Sequence, residues 1–314
     1  VLAPTLDAGD LAREKLVVGQ EIAEAADTPD DFVFELAQAT AFADQPLGRP
    51  VLGTAASIAA ADPANLEAWR ARLYAPDRLV VSAAGAVDED ELLRLAEQLF
   101  GGAEPAAGAA PAPGSFTGGR AAERRRLEQA HLVLFLPGVG ATDPDYFAFR
   151  LFAEALGGGM SSRLFQEARE KLGLAYAIDA FAESYEETGL LGIYAGCAAG
   201  DAERLAQVTA AEILKLAETA LPAELARAKA QLKAALFMAR ESLTARAEQG
   251  AGQLLVFGRL LTTAEIAASI EAVTPADVRR LAERLLAPRL AAPAVLGPAK
   301  AMAAADGFHR ALFG

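Results

Sequence analysis

An internal repeat constrains the fold of this chain more than any other feature of its sequence. Residues 10–22, DLAREKLVVGQEI, align with residues 224–236, ELARAKAQLKAAL, at a constant offset of 214. Farther along, residues 73–76, LYAP, match residues 285–288, LLAP, and an apolar segment follows each of them. Repeats of this kind indicate copies of one structural unit. We therefore predict an α+β fold of two homologous α/β-sandwich-like units, each a mixed sheet packed against helices.

A segment of small residues separates the two predicted units. Residues 101–119, GGAEPAAGAAPAPGSFTGG, have too few large apolar side chains to pack a core, which is typical of a linker. We place the C-terminal part of the first unit at residues 1–100 and the second unit at residues 120–314. Only nine residues precede the first repeated segment. We therefore expect the first unit to be truncated at its N-terminus, so that a further segment precedes Val1 in the intact protein.

Composition excludes several classes of partner. The net charge of −13 argues against nucleic acid or an anionic membrane, because phosphate groups would be repelled over most of the surface. No apolar run approaches the roughly 20 residues of a membrane span, and residues 1–20 show no signal-peptide pattern, which favours a soluble protein of the cytoplasm. A single cysteine, Cys197, excludes an internal disulfide and is predicted to be a core residue.

Local patterns predict the elements that carry the site. Residues 78–87, RLVVSAAGAV, are predicted to form a buried strand, after which Asp88 caps a helix. In the second unit, residues 131–139 read as a strand, and residues 157–173 as a Gly-rich entry into a helix. Two further apolar runs within residues 174–197 predict a hairpin, and a short strand near residues 294–296 closes the domain.

Two carboxylates form the first candidate site. Glu14 and Glu21 are seven residues apart in a predicted helix, so both project from roughly one face and could help to hold a divalent metal. A pair of glutamates on an acidic helix is more often only a solvated face. The repeat favours the chemical interpretation, because the aligned positions in the second copy are Ala228 and Ala235. This asymmetry predicts one chemically competent unit and one silent unit.

Histidine is scarce in this chain. His131 and His309 are the only two histidines, and neither lies in an H-x-x-E-H pattern. We interpret His131 as a structural residue near the start of a strand. A metal site that uses Glu21 therefore needs ligands that this chain does not supply.

Three segments together resemble the pitrilysin or inverzincin family of zinc peptidases, in its mitochondrial-processing-peptidase-like branch of two-domain bacterial proteins. The segments are residues 14–21, EKLVVGQE, residues 34–53, which contain FELAQATAF and QPLGRPVLG, and residues 158–176, GGMSSRLFQEAREKLGLAY. The likeness follows the family order along nearly the whole chain. One feature departs from it, because the family's H-x-x-E-H helix should precede Glu21 by more than the 20 residues present here.

The resemblance implies roles for four residues. Glu21 would be a zinc ligand and Glu14 would support the site, while Arg169 and Tyr176 of the second unit would hold the substrate. It further implies a zinc-dependent endopeptidase of the processing-peptidase type that acts on unfolded peptides or targeting sequences. The active site would be built between subunits of a homodimer, or of a heterodimer with a related subunit. Because two zinc ligands and the general base are missing, we expect this chain alone to be inactive and to retain no zinc.

The alternative comes from another functional class. A protein of the same fold could bind extended peptides, or pair with an active partner, without cutting anything. Glu14 and Glu21 argue against this alternative for the intact protein, although it could describe the chain of residues 1–314 by itself.

Overall fold

The computed structural model describes residues 2–102 and 112–314. Helices account for most of it: α1 (Ala8–Asp27), α2 (Pro29–Ala41), α3 (Ala55–Ala60), α4 (Pro63–Leu73), α5 (Glu89–Phe100), α6 (Tyr146–Gly157), α7 (Ala202–Glu218), α8 (Pro222–Ala239), α9 (Leu243–Phe257), α10 (Thr263–Ala272), α11 (Pro275–Leu286) and α12 (Ala304–Phe313). A π-helix covers Phe165–Lys171. The strands are β1 (Ala121–Arg124), β2 (Gln129–Val139), β3 (Ala177–Ser184), β4 (Thr188–Ala198) and β5 (Ala292–Gly297).

The described residues form two compact units, which we treat separately. Within the described residues, unit 1 comprises residues 2–24, 51–102, 112 and 236–263, and unit 2 comprises residues 25–50, 113–235 and 264–314. This division by contacts assigns α2 to unit 2. The division is based on contacts within the structure, whereas the boundaries at residues 100 and 120 are based on the sequence repeat. Those boundaries remain a prediction. The middle of the predicted linker, residues 103–111, lies outside the described residues.

Unit 2 is built on a mixed five-stranded sheet, which confirms the predicted α+β class. The strand order is β1-β5-β2-β4-β3, with β1 and β5 parallel and the other neighbours antiparallel. The predicted hairpin is the β3–β4 pair, and the predicted closing strand is β5. Cys197 on β4 is fully buried, as expected, and burial raises the pKa of its thiol to about 12.

Helices cover both faces of this sheet because β2 is apolar on both sides. Val133 and Phe135 join the cluster with Val33 and Ala37 of α2. The alternate residues of β2 point to the opposite face, as the period of two in a strand requires, and are buried as well. On that side α6 and α11 contact the sheet.

Unit 1 is helical in its described residues. Asp88 caps α5 as predicted, and its carboxylate accepts a hydrogen bond of 2.9 Å from the backbone N–H of Glu91. The predicted buried strand at residues 78–87 is wrong, since these residues are assigned to no strand and Val81 is 50% exposed. A strand needs a neighbour to satisfy its backbone groups, and no described segment pairs with this one. None of the helices in residues 2–102 and 112–314 is both long and apolar enough to cross a bilayer.

Candidate functional site

The two carboxylates lie on the exposed side of α1 in unit 1. Glu14 and Glu21 are both exposed, and their side chains make no ion pair or hydrogen bond with any residue that the structure describes. Helical geometry places side chains seven apart on nearly the same face, two turns from each other. Both carboxylates are therefore unengaged acceptors that a ligand could reach.

These residues do not by themselves make a zinc site. A catalytic zinc requires three protein ligands of suitable geometry. No group of three or more His, Cys, Asp or Glu side chains that could hold a metal occurs within residues 2–102 and 112–314. Glu21 can contribute one carboxylate, so two further ligands are needed.

The second copy shows why the repeated helix carries alanine. Ala228 on α8 is 2% exposed, so a carboxylate at this position would be buried. Ala235, which matches Glu21, is exposed and would accept glutamate at little cost. Burial thus explains the alanine at position 228. It does not explain the alanine at position 235, so the predicted chemical difference between the two copies rests on the Glu21 position.

Arg169 lies on the π-helix of unit 2. The helix closes with an N–H of Leu172 that donates to the carbonyl of Glu167, five residues earlier, at 3.1 Å. Such a turn holds one residue more than an α-helical turn and occurs often at functional sites. Arg169 is exposed, its guanidinium lies 4.7 Å from the centre of the Phe165 ring, and it forms no ion pair in the part of the chain described.

Tyr176 immediately precedes β3. Its backbone N–H donates to the carbonyl of Gly196 on β4 at 2.8 Å, which fixes the backbone, while its side chain is 59% exposed. Gly173, with a φ of 62°, allows the chain to turn between the π-helix and this strand. Unit 2 therefore presents a guanidinium and a phenol, both hydrogen-bond donors, in one continuous stretch of chain.

The same spacing of seven residues consequently corresponds to different secondary structure in the two pairs. For Glu14 and Glu21 it spans two turns of one helix. For Arg169 and Tyr176 it spans a π-helix, a turn and the start of a strand. The two pairs belong to different compact units.

A partly buried ion pair that sequence reasoning missed lies just before the π-helix. Arg163 pairs with Glu224 of α8, and the two side chains are 12% and 15% exposed. Arg163 lies in the segment 158–176 and Glu224 begins the repeat 224–236, but the two residues are 61 positions apart, so no local signal could have paired them. Beside the pair, a pocket with room for about one water molecule is lined by Glu154, Ser162, Gln231 and their neighbours.

His131 is a structural residue, in agreement with its prediction. Its Nδ1 lies 3.0 Å from the Tyr194 hydroxyl on the neighbouring strand. Burial lowers the pKa of the imidazole, and the negative charge of Asp30 partly opposes this. Tyr194 in turn stacks on Phe34 of α2 at 5.6 Å between ring centres. The histidine is thus linked through Tyr194 to the contact between the sheet and α2.

Comparison with known proteins identifies relatives. A family model described as the Peptidase M16 inactive domain matches residues 60–232. A protein of Rickettsia bellii (strain RML369-C), named an uncharacterized zinc protease, is 36% identical over 277 residues, which cover 88% of this chain and 67% of that protein. Uncharacterized zinc proteases of Streptomyces coelicolor and Bacillus subtilis (strain 168) are 38% and 32% identical, over 87% and 90% of this chain. The matches cover 62% and 69% of those two proteins, so the chain spans about two thirds of the length of these relatives.

A solved structure shares the fold. A chain of Complex III2 from Candida albicans, with Inz-5 bound, superposes with a TM-score of 0.86 over 96% of this chain and 74% of its own length. The sequence identity is 22%, so this likeness concerns the fold alone.

Proposed function

This chain belongs to the M16 peptidase family, and from that premise we propose that it serves a zinc-dependent endopeptidase by holding unfolded peptide substrates. The observation that carries the proposal is the pair of unengaged donors in unit 2. Arg169 and Tyr176 are exposed and free to donate hydrogen bonds to a peptide carbonyl. Such donors also stabilise the negative charge that develops on that oxygen during hydrolysis. The acidic surface favours basic or neutral peptides.

The proposal gives α1 the role of completing a metal site. Glu21 would supply one carboxylate ligand and Glu14 would orient the other ligands. The remaining ligands and the general base would come from outside residues 1–314, because the two histidines of this chain form no H-x-x-E-H motif. A second subunit, identical or related, is part of the same proposal, and sedimentation equilibrium would measure the association.

The role of the donor pair is tested by peptide binding. We expect Arg169→Ala to weaken binding of a fluorescein-labelled, unstructured basic peptide on the order of tenfold, and Tyr176→Phe to weaken it less, because a charged donor forms the stronger hydrogen bond. Fluorescence anisotropy measures the affinity. Arg150→Ala is the matched control, since Arg150 is another exposed arginine of unit 2 beside an aromatic ring. Equal affinity of wild type and Arg169→Ala would contradict the assignment.

Metal analysis separates the catalytic proposal from its alternative. We expect purified residues 1–314 to hold no stoichiometric zinc and to cleave no unfolded peptide, because the donor set is incomplete. Tight zinc binding with chelator-sensitive cleavage would disprove this expectation. In a form or assembly that supplies the remaining ligands, Glu21→Gln should lose zinc while Arg169→Ala keeps it.

The alternative is a peptide-binding or partner subunit without catalytic activity. It is favoured by the presence of only two histidines in the sequence, and by the lack of a metal-binding cluster within residues 2–102 and 112–314. It predicts that peptide binding persists while no combination with a related subunit that carries an H-x-x-E-H motif gives zinc-dependent cleavage.

A further inference from the structure

Arg163 makes a dense set of polar contacts at the start of the π-helix. Its Nε donates to Oε1 of Glu224 at 2.9 Å, and its Nη2 donates to Oε2 at 2.8 Å. Nη2 also donates to the backbone carbonyl of Thr219 at 2.6 Å. A bidentate arginine–carboxylate pair is both strong and specific in direction. We call this set of contacts the Arg163 clamp.

The carboxylate of the clamp is fixed on its other side as well. Oε2 of Glu224 accepts the backbone N–H of Leu221 at 3.1 Å, which ties it to the turn that leads into α8. Burial opposes ionisation of Glu224, but the hydrogen bonds from Arg163 and Leu221 outweigh this effect and lower the pKa of the carboxyl. The clamp is therefore charged and rigid, and its low exposure limits screening by salt.

The clamp follows a stretch with few buried bulky side chains, although Leu164 and Ala168, between the clamp and Arg169, are fully buried. Residues 157–159 are all glycine, and Gly157 approaches β3 so closely that a Cβ there would lie 2.5 Å from the backbone nitrogen of Ala180. The next residues include Met160, which is 74% exposed. Arg163 begins the helical segment that continues into the π-helix with Arg169. Beside these apolar anchors, it is a largely buried polar connection between the body of unit 2 and the helix that presents Arg169.

We propose that Arg163 and Glu224 are positioning residues that fix the direction in which Arg169 is presented to a peptide. The inference rests on the proposed function of Arg169. It assigns neither Arg163 nor Glu224 a contact with the substrate, since both are mostly buried and paired with each other.

The first test is graded removal of the carboxylate. Glu224→Gln keeps the shape and one acceptor oxygen, whereas Glu224→Ala removes both acceptors. We expect peptide affinity to fall on the order of tenfold in Glu224→Ala, with partial retention in Glu224→Gln, as supporting polar partners typically give. Hydrogen–deuterium exchange of the amides in residues 164–174 should rise in the same order. Arg310→Gln, which breaks the exposed pair with Glu203, is the control and should change neither quantity.

The second test asks whether the clamp acts through Arg169. If it does, Glu224→Gln added to Arg169→Ala should cause no further loss of affinity, because the group being positioned is already absent. Additive losses would overturn the inference and indicate a separate effect on peptide binding. Melting of each variant, followed by circular dichroism, identifies any variant that has lost its fold, and Glu224→Gln keeps the test available if Glu224→Ala unfolds.

The two possible failures are distinguishable. Unchanged affinity in Arg169→Ala would overturn the proposed function of Arg169. Unchanged amide exchange in Glu224→Ala, with Arg169→Ala still weakening binding, would overturn the clamp while leaving that function intact.

Discussion

Helices α4 and α11, which lead into the matching segments LYAP and LLAP, and the apolar segments that follow them differ in burial between the two copies. In unit 2, α11 buries Val278, Leu281 and Leu285, and every residue of β5 is buried between β1 and β2. In unit 1, α4 has no buried residue, and residues 79–87 belong to no strand. The same pattern of sequence thus gives a core element where sheet neighbours exist and an open segment where none is described. Apolar patterning supplies the capacity to form a strand, whereas hydrogen-bonding neighbours are needed to realise it.

Conformational details survive this difference. Gly85 and Gly297 occupy equivalent places within the two apolar segments, and both have positive φ, 121° and 155°. Both helices also begin with a reciprocal capping box, formed by Asp62 and Asn65 in α4 and by Thr274 and Asp277 in α11. Backbone geometry and capping are local properties, so they are retained where tertiary burial is not.

The largest expected effect separates the two alanines of α8. Ala228→Glu should destabilise the protein by about 3–5 kcal/mol, because it places an unpaired carboxylate in a buried position. Ala235→Glu should change stability by less than about 0.5 kcal/mol, because that position is exposed. Urea unfolding followed by circular dichroism measures both. Equal losses would remove the packing explanation for alanine at position 228.

A core truncation tests the contrast between α11 and α4. Leu285→Ala should cost about 2–5 kcal/mol, since this leucine is 3% exposed and the truncation leaves a cavity. Leu73→Ala at the equivalent place in α4 should cost under about 2 kcal/mol, because its side chain is only partly buried. The same unfolding measurement applies. Trp69, the single tryptophan, lies on α4 and adds a fluorescence signal specific to unit 1.

The smallest effect concerns the cap of α11. Hydrogen bonds from the Thr274 hydroxyl and backbone N–H, and then from Arg280, lower the pKa of Asp277 from 3.8 to about 2. Because the folded-state pKa is depressed, this stabilisation is complete above pH 3.8 and is lost as the pH falls towards about 2. Asp277→Asn should therefore show a smaller fall in melting temperature than wild type across that interval. An identical fall in both proteins would show that Asp277 does not contribute.

Local signals predicted much of unit 2 correctly. The apolar run of β2 and the hairpin of β3 and β4 follow from patterns within a few residues, as does the cap at Asp88 in unit 1. The strand expected at residues 78–87 failed because pairing depends on segments that local sequence does not specify. The Arg163–Glu224 ion pair could not be predicted for a similar reason, since its two residues meet only after the chain has folded.

The sequence indicated the candidate residues of the site, but not all of the secondary structure that carries them. Glu14 and Glu21 are on one helix, as their spacing predicted. For Arg169 and Tyr176, the same spacing did not predict a π-helix, because a turn with one additional residue leaves no mark in the pattern of apolar and polar side chains. Their catalytic and metal-binding roles remain predictions.

The π-helix also affects how a difference in length within this segment should be read. A π turn holds one residue more than an α-helical turn, so its extra residue is accommodated inside the turn. Deleting one residue between Phe165 and Ala168 and restoring an α-helix would therefore leave Arg163 and Arg169 in about the same relative direction, because each α-helical residue turns by about 100° and one step fewer covers the same angle. A relative that is one residue shorter here would still present its arginine on this face, although an alignment would show a gap inside the motif.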